Sequence, residues 1–221
     1  MTKRARTDTA KADRQQDIVH AAADLFAAVE LEAFTMDAVA ERLGLAKGTL
    51  YRYFPTREAL LLCLLDEEFL GWFTDLGSLV AQQTPMAFDD LAIIITRSIC
   101  VRPSFVRLNG ALSALLERNI PVDTALTFKL RLLERTSAMA EAVNAALPAI
   151  SPENAVRLFI QLHAAVVGLH SCAFPAPVVA EVLQDDRLRS LRLDFETELD
   201  LMVRSLVNSA AHPTTTSTTQ P

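Results

Sequence analysis

The residues best suited to chemistry lie in one short stretch, AVAERLGLAKGTLYRYFPTREAL, at residues 38–60. Basic, hydroxyl and phenolic side chains follow one another there: Lys47, Thr49, Tyr51, Arg52 and Tyr53. Ammonium and guanidinium groups bind phosphate, and hydroxyl groups form hydrogen bonds with base edges. This set of side chains is typical of a surface that contacts nucleic acid.

A helix-turn-helix is expected to position these side chains. Thr35 is a suitable N-cap for one helix, and Gly44 ends that helix as a residue that tolerates positive φ. Small and apolar residues can form a compact core between the two helices: Val39, Ala40, Leu43, Leu45, Leu50 and Phe54. The polar side chains then remain on the outer face. The alternative is a helical hairpin whose charged face is only solvated.

Local signals also predict the helices on either side. The first helix is expected from Ala12, and the third at about 46–54, where Pro55 ends it. Thr56 can cap a fourth helix that begins at Arg57. Further helices are predicted at about 87–100, 103–118, 122–147, 152–173, 176–184 and 188–208.

Length and composition favour an all-α protein with a substantial core. The chain has 221 residues, of which 51% are hydrophobic, and it contains only 6 glycines. Cys63, Cys100 and Cys172 are far apart and form no Cys-x-x-Cys pair, which favours reduced thiols in a cytoplasm. No apolar segment follows the basic residues at the start, so we expect no secretory signal and a cytoplasmic location.

The charge is unevenly distributed along the chain. The formal net charge is −6, yet residues 1–57 contain nine Lys and Arg against eight Asp and Glu. The remaining residues contain 12 against 19. Because DNA affinity depends on a local basic face, the acidic total does not exclude DNA binding.

One segment is apolar enough to suggest a membrane. Residues 158–180 contain no formally charged side chain. They do contain Gln161 and two histidines, and Pro175 and Pro177 leave less than the roughly 20 apolar residues that a span needs. We therefore expect a buried or interface helix and no membrane partner.

Residues 38–60 closely resemble the DNA-binding signature of the tetracycline-repressor (TetR) family of bacterial regulators, and the resemblance extends over about residues 14–60. It implies a three-helix DNA-binding domain with a helix-turn-helix and a larger C-terminal helical domain for ligand binding and dimerisation. It also implies a homodimer that represses transcription until a small molecule binds. The expected divisions are a flexible basic arm at 1–11, the DNA-binding domain at 12–56, the ligand-binding and dimerisation domain at 57–208, and a disordered tail at 209–221.

The resemblance also assigns roles by position. It implies that Lys47, Thr49 and Tyr51 face the DNA groove and that Thr35, Tyr53 and Arg57 bind phosphates. The expected DNA-binding set also includes Gly48 and Arg52. Among them, Gly48 allows the backbone to approach DNA closely. Ala46 stands where the family often has a serine or threonine cap, which predicts a loss of about 1 kcal/mol for the recognition helix.

A ligand cavity is expected beyond residue 60, where aromatic residues are numerous. The predicted lining residues are Trp72, Phe105, Asn109, Phe128 and His163. Each of them has the alternative of simply filling the core. His163 and His170 share a helix face, but no carboxylate or cysteine stands at ligand spacing beside them. We therefore expect interior histidines, no metal and no cofactor.

The helices at 152–173 and 188–208 are candidates for a dimer surface. Ala164, Ala165 and Gly168 permit close approach between helices. An apolar stripe follows on the later helix: Leu191, Phe195, Leu199, Met202 and Leu206. A four-helix bundle across a two-fold axis would use both helices. The alternative is that the stripe packs within its own chain.

The sequence favours a regulator over an enzyme. It contains no Gly-rich phosphate loop, no Gly-x-Ser-x-Gly and no His-Glu-x-x-His. The leading hypothesis is a homodimeric repressor on a near-palindromic operator, released by a small, mostly apolar molecule. The alternative is an architectural DNA-binding protein of the same fold that ignores ligands.

Overall fold

The computed structural model describes residues 3–83, 85–111 and 120–212. Within these ranges the chain forms helices and no β-strand, which confirms the all-α prediction. The chain divides into two compact units. The first contains Met1–Glu68 and Ala111–Phe128, and the second contains Phe69–Gly110 and Lys129–Pro221.

The first unit holds the helix-turn-helix. Its helices are α1 (Lys3–Ala28), α2 (Met36–Arg42), α3 (Lys47–Tyr51), the start of α4 (Arg57–Gln82) and the start of α7 (Val122–Ala146). The core of this unit is apolar and almost fully shielded from solvent: Ile18, Phe26, Phe34, Val39, Leu50 and Leu60. The rings of Phe26 and Phe34 meet edge to face, with centroids 5.6 Å apart. This core orients the outer face of α3.

Helix α1 is longer than expected. It begins at Lys3, whereas the sequence predicted a flexible arm at 1–11 and a helix from Ala12. No glycine or proline interrupts residues 3–28, and alanine, lysine and arginine all favour helix. The basic residues near the start therefore belong to a helix.

The capping predictions for the motif are confirmed. Thr35 Oγ1 accepts a hydrogen bond from the Ala38 amide at 3.2 Å, and Thr56 Oγ1 accepts one from the Ala59 amide at 3.0 Å. Gly44 has a φ of 61°, in the left-handed region. Ala46 provides no side-chain cap for α3, as predicted.

Helix α3 is shorter than the sequence predicted. It ends at Tyr51 instead of near Phe54. Beyond it, the amides of Tyr53 and Phe54 still donate to the Leu50 carbonyl at 3.0 Å, so a turn continues as far as the residue before Pro55. The recognition helix therefore contains five residues.

The second unit begins within α4, after Glu68, and its described residues contain five further α-helices together with the part of α7 from Lys129 onward. The bounds are α5 (Phe88–Cys100), α6 (Pro103–Ala111), α7 (Val122–Ala146), α8 (Pro152–Ala173), α9 (Pro177–Val182) and α10 (Phe195–Ala211). These helices match the predicted ones closely at most ends. Residues 112–119, where the predicted sixth helix continues, lie outside the described residues.

The helix predicted at 188–208 is interrupted. Asp186–Leu191 forms a 3-10 helix, and α10 begins only at Phe195. Asp194 causes the new start, because its carboxylate accepts from the Thr197 amide at 2.9 Å and from Thr197 Oγ1 at 2.6 Å. The predicted tail at 209–221 also differs, since α10 extends to Ala211. Residues 213–221 lie outside the described part of the chain.

Helix α10 packs against α8 and α5. Leu199, Val203 and Val207 of α10 are fully buried. Within the described residues, α8 is the one helix long and apolar enough to cross a membrane by length and composition. Part of that apolar character belongs to the core of this unit, since Leu158, Leu162 and Val166 of α8 are buried.

Candidate DNA interface and ligand cavity

The outer face of α3 presents polar side chains, as predicted. Lys47, Gly48 and Arg52 are exposed, and Tyr51 is 40% exposed. Leu50, on the opposite side of the helix, is fully buried. Because the apolar side chain fills the core, the basic and phenolic groups face outward together.

Gly48 is not required by the protein itself. Gly44 is the only glycine with positive φ among the described residues, so the backbone at Gly48 suits any residue. A Cβ added at Gly48 would meet no protein atom within 4 Å. The surface beside Gly48 is therefore free of protein atoms, and a binding partner could approach the backbone closely there.

The predicted phosphate-binding residues differ in exposure. Thr35 is exposed, and since its hydroxyl oxygen accepts from Ala38, its own proton remains available to donate. Tyr53 is half-buried. Arg57 is 28% exposed, and its Nε donates to Glu58 Oε1 at 3.3 Å. Thr49 is also half-buried, and Arg52 donates to its hydroxyl at 3.5 Å.

An acidic residue, whose pairing with Lys47 the sequence analysis did not predict, lies beside this face. The Nζ of Lys47 is 2.6 Å from Asp37 Oδ1 and 2.8 Å from Asp37 Oδ2. The hydrogen bond to Asp37 and the attraction of its charge raise the pKa of Lys47. The ammonium group is therefore charged, and a carboxylate neutralises it. Ten residues separate the pair in sequence, so no helical spacing indicated it.

A cavity of about 280 Å³ lies in the second unit. Its walls come from α4, α5, α6, α7 and α8, and aromatic rings form a large part of them: Phe69, Trp72, Phe73, Phe105 and Phe159. The volume is near the lower end for small-molecule sites. Four polar side chains also line the cavity: Asn109, Lys129, Thr136 and His163.

Four of the five predicted lining residues border this cavity: Trp72, Phe105, Asn109 and His163. Phe128 does not. It is buried in the first unit, one residue before Lys129 on α7. One residue step turns a helix by about 100°, so Phe128 points away from the face that carries Lys129. The structure thus corrects its predicted place, and ligand binding by the other four stays a prediction.

The polar groups of the cavity are fixed by hydrogen bonds. Asn109 is 1% exposed, and its Nδ2 donates to the Phe105 carbonyl at 2.9 Å. Its Oδ1 therefore accepts from His163 Nδ1, at 3.0 Å. Trp72 stacks on Phe105 with centroids 5.3 Å apart, and its Nε1 donates to Ser98 Oγ at 2.9 Å. The aromatic wall thus borders one hydrogen-bonded pair of an amide and an imidazole.

The sequence analysis missed the residues of α7 that line the cavity. Lys129, Leu132, Leu133 and Thr136 line the cavity, and their spacing of three, four and seven residues places them on one helix face. That spacing was a usable signal. The two histidines have different neighbours. His163 forms a hydrogen bond with Asn109, whereas the ring of His170 contacts Phe174. Burial and Arg107 lower the pKa of His170. The described residues contain no group of three metal-ligating side chains.

The outer faces of α8 and α10 carry apolar side chains exposed to solvent. Ile160, Leu201 and Met202 are 63%, 55% and 43% exposed. A Cβ at Gly168 would meet nothing within 4 Å, so α8 is open there. The predicted stripe is only partly on this face, since Leu199 is fully buried and Leu191 lies in the 3-10 helix.

The chain is thus all-α, with a helix-turn-helix in one unit and a cavity in the other, an arrangement typical of ligand-responsive regulators. Residues 18–64 match the family model "Bacterial regulatory proteins, tetR family". Residues 66–208 match "Tetracyclin repressor-like, C-terminal domain". The chain therefore belongs to the TetR family, and α2 and α3 form its helix-turn-helix.

Known relatives resemble parts of the chain. The HTH-type transcriptional repressor KstR of Mycobacterium tuberculosis is 34% identical over 123 residues, which cover 53% of this chain and 47% of that protein. KstR of Rhodococcus jostii is 43% identical over 63 residues, 28% of this chain and 30% of that protein. The matches thus span less than half of these relatives.

A solved structure shares the fold. The crystal structure of a TetR-family transcriptional regulator from Mesorhizobium loti aligns with a TM-score of 0.50. The alignment covers 90% of this chain and 95% of that one at 15% sequence identity. At this identity the similarity supports the arrangement of helices and carries no information about the ligand.

Proposed function

We propose that the protein is a cytoplasmic, homodimeric transcriptional repressor, released from a near-palindromic operator by a small, mostly apolar molecule. The observation that carries the ligand response is the cavity of about 280 Å³ in the second unit. Its walls are largely aromatic and aliphatic, with the Asn109 and His163 pair among its few polar groups. Such a site suits an apolar ligand with a small number of polar groups.

Operator binding is supported by the outer face of α3. Lys47, Tyr51 and Arg52 are presented together, and Gly48 leaves room for the DNA backbone. In a helix-turn-helix protein, the second helix enters the major groove and its side chains contact base edges. The proposed base-contacting residues are Lys47, Thr49 and Tyr51, and the proposed phosphate-binding residues are Thr35, Tyr53 and Arg57.

Dimerisation is supported by the exposed apolar face of α8 and α10. Ile160, Leu201 and Met202 would be buried by a second copy, and the open position at Gly168 permits close approach of helices. The measurement is the mass in solution by light scattering. A monomer at micromolar concentration would reject the proposed dimer.

A ligand titration tests the response. A dye-displacement screen first identifies a binding compound, which is then titrated against the protein with and without operator DNA. Linkage requires operator DNA to weaken ligand binding by the factor by which ligand weakens operator binding, typically about 5–150-fold. Equal ligand affinities in the two titrations would reject the repressor switch in favour of a ligand-indifferent architectural protein.

A substitution that fills the cavity tests whether the ligand binds there. Asn109→Trp places a large ring in the cavity and should reduce affinity for the screened ligand, while operator affinity of the ligand-free protein stays within a few fold. Thr74→Trp is the control, because it adds the same ring at an exposed position of α4. Equal ligand affinity in both variants would show that the ligand binds elsewhere.

A further inference from the structure

The Asp37 carboxylate accompanies a cation of the proposed DNA-binding face. Both of its oxygens lie within 2.8 Å of Lys47 Nζ. The two side chains are well exposed, Lys47 at 55% and Asp37 at 66%. The pair therefore lies at the surface, where an incoming ligand can reach it.

The geometry matches that of a lysine bound to phosphate. Charge-assisted contacts between an ammonium group and an anionic oxygen fall at about 2.7–2.9 Å. The Lys47 ammonium group has three donors, and the two carboxylate oxygens of Asp37 lie where the oxygens of a bound phosphate would lie. A DNA phosphate must displace Asp37 or be bound beside a second negative charge.

We propose that Asp37 is an internal competitor for DNA, which holds Lys47 in the free protein and suppresses binding to DNA of arbitrary sequence. The inference rests on the proposed place of Lys47 in the DNA-binding surface. Sequence-independent affinity comes from neutralised phosphates, so a lysine already paired with a carboxylate contributes less to it.

A purely structural role for the pair is less consistent with its surroundings. Exposed ion pairs contribute little to folding. The helix-turn-helix already has other fixed points: the Thr35 cap of α2, the left-handed turn at Gly44 and the buried Leu50 of α3. The position of α3 thus does not depend on Asp37.

The test is Asp37→Asn with a fluorescent duplex of mixed sequence, measured by anisotropy at low salt. We expect binding about two- to fivefold tighter than wild type, the range of one exposed ion pair. Asp24→Asn is the matched control. Asp24 also lies in the first unit, is 72% exposed and faces Arg42 at 3.7 Å, so the same charge is removed away from Lys47.

Lys47→Ala separates this inference from the proposed DNA-binding surface. Lys47→Ala should weaken duplex binding, and adding Asp37→Asn in that background should give less than half of its effect in the wild type. If Lys47→Ala leaves binding unchanged, the proposed surface is wrong. If Lys47→Ala weakens binding but Asp37→Asn does not tighten it, or tightens it no more than Asp24→Asn, Asp37 is not a competitor.

Folding is monitored in every variant by circular dichroism and thermal unfolding. Asp37 lies in the first turn of α2, where a negative charge favours the helix. Asp37→Ser removes the carboxylate with a residue suited to helix starts, and we expect the same tightening. Folded Asp37→Asn and Asp37→Ser proteins that both bind the mixed duplex like wild type would overturn the proposal.

Discussion

The two candidate sites are built in opposite ways. The proposed DNA-binding face lies on a helix of five residues, and its proposed function depends on the identity of a few exposed side chains. The cavity draws its walls from five helices, and most of its lining residues are buried in the core of their unit. Substitutions should therefore change binding without changing stability in the first site, and change both in the second.

Two glycines illustrate this contrast. A Cβ at Gly48 would meet nothing within 4 Å, whereas a Cβ at Gly110 would lie 2.5 Å from His170 Nδ1. The first glycine leaves space outside the protein, and the second allows helices within one unit to pack closely. The same substitution should thus have different consequences at the two positions.

The largest effect is expected for Trp72→Ala. Trp72 is 3% exposed and stacks on Phe105, so its removal should lower the free energy of unfolding by about 3–5 kcal/mol. Unfolding is followed by circular dichroism, because the variant lacks the one tryptophan whose fluorescence could otherwise report it. Trp72→Phe is the control and should cost less. A loss below about 1 kcal/mol for Trp72→Ala would show that the cavity wall is not tightly packed.

Gly110→Ala should also destabilise the protein. The added methyl group forces the His170 ring to move, at a cost of about 1–3 kcal/mol. The midpoint of denaturant unfolding measures it. An unchanged midpoint would mean that the close approach of Gly110 and His170 can relax freely.

Tyr51→Ala and Arg57→Ala should differ in kind. Tyr51→Ala should lose preference for the operator over other sequences, by about 1–3 kcal/mol. Arg57→Ala should weaken binding to all duplexes alike and reduce the salt slope by about one unit. Binding to operator and random DNA is measured over a range of salt concentrations. If both variants bind both DNAs like wild type, α3 is not the recognition helix.

Gly48→Ala should leave folding intact and reduce operator binding several fold. The position is open and its φ is not positive, so a methyl group is accommodated, while the DNA backbone can no longer approach as closely. Operator affinity and thermal unfolding are measured together. Unchanged affinity would remove Gly48 from the proposed interface.

The smallest effect concerns pH. Burial and Arg107 lower the pKa of His170 below its ordinary value of 6.5, so the unfolded chain binds the proton more readily than the folded chain. Stability should fall as pH decreases below 6.5, until His170 is protonated in the folded state too. His170→Asn should weaken this dependence in thermal unfolding between neutral and mildly acidic pH. Identical pH profiles would show that His170 does not contribute.

Much of the first unit followed from local sequence signals. Thr35 and Thr56 cap helices through atoms three residues away, and Gly44 adopts its φ within one turn. The burial of Leu50 and Phe54 followed from helical spacing. Each of these features depends on neighbouring residues, so a single sequence was sufficient to predict it.

The second unit was less predictable because its details depend on tertiary packing. The break before α10 is an exception, because the Asp194 cap is a local signal that the sequence analysis overlooked in favour of a continuous apolar stripe. Phe128 and Lys129 are adjacent in sequence, yet only Lys129 borders the cavity. The pairing of Asp37 with Lys47 in the first unit also escaped prediction, because the turn between two helices brings the residues together.

The exposed apolar face of α8 and α10 has a consequence for how operator occupancy depends on protein concentration. If Ile160, Leu201 and Met202 are covered by a second copy, folding and association are linked by mass action. The midpoint of thermal unfolding then rises with protein concentration. At low protein concentration such a dimer dissociates into less stable single chains, and each of them carries one recognition helix. Occupancy of a two-fold operator would then fall more steeply than in proportion to the number of chains.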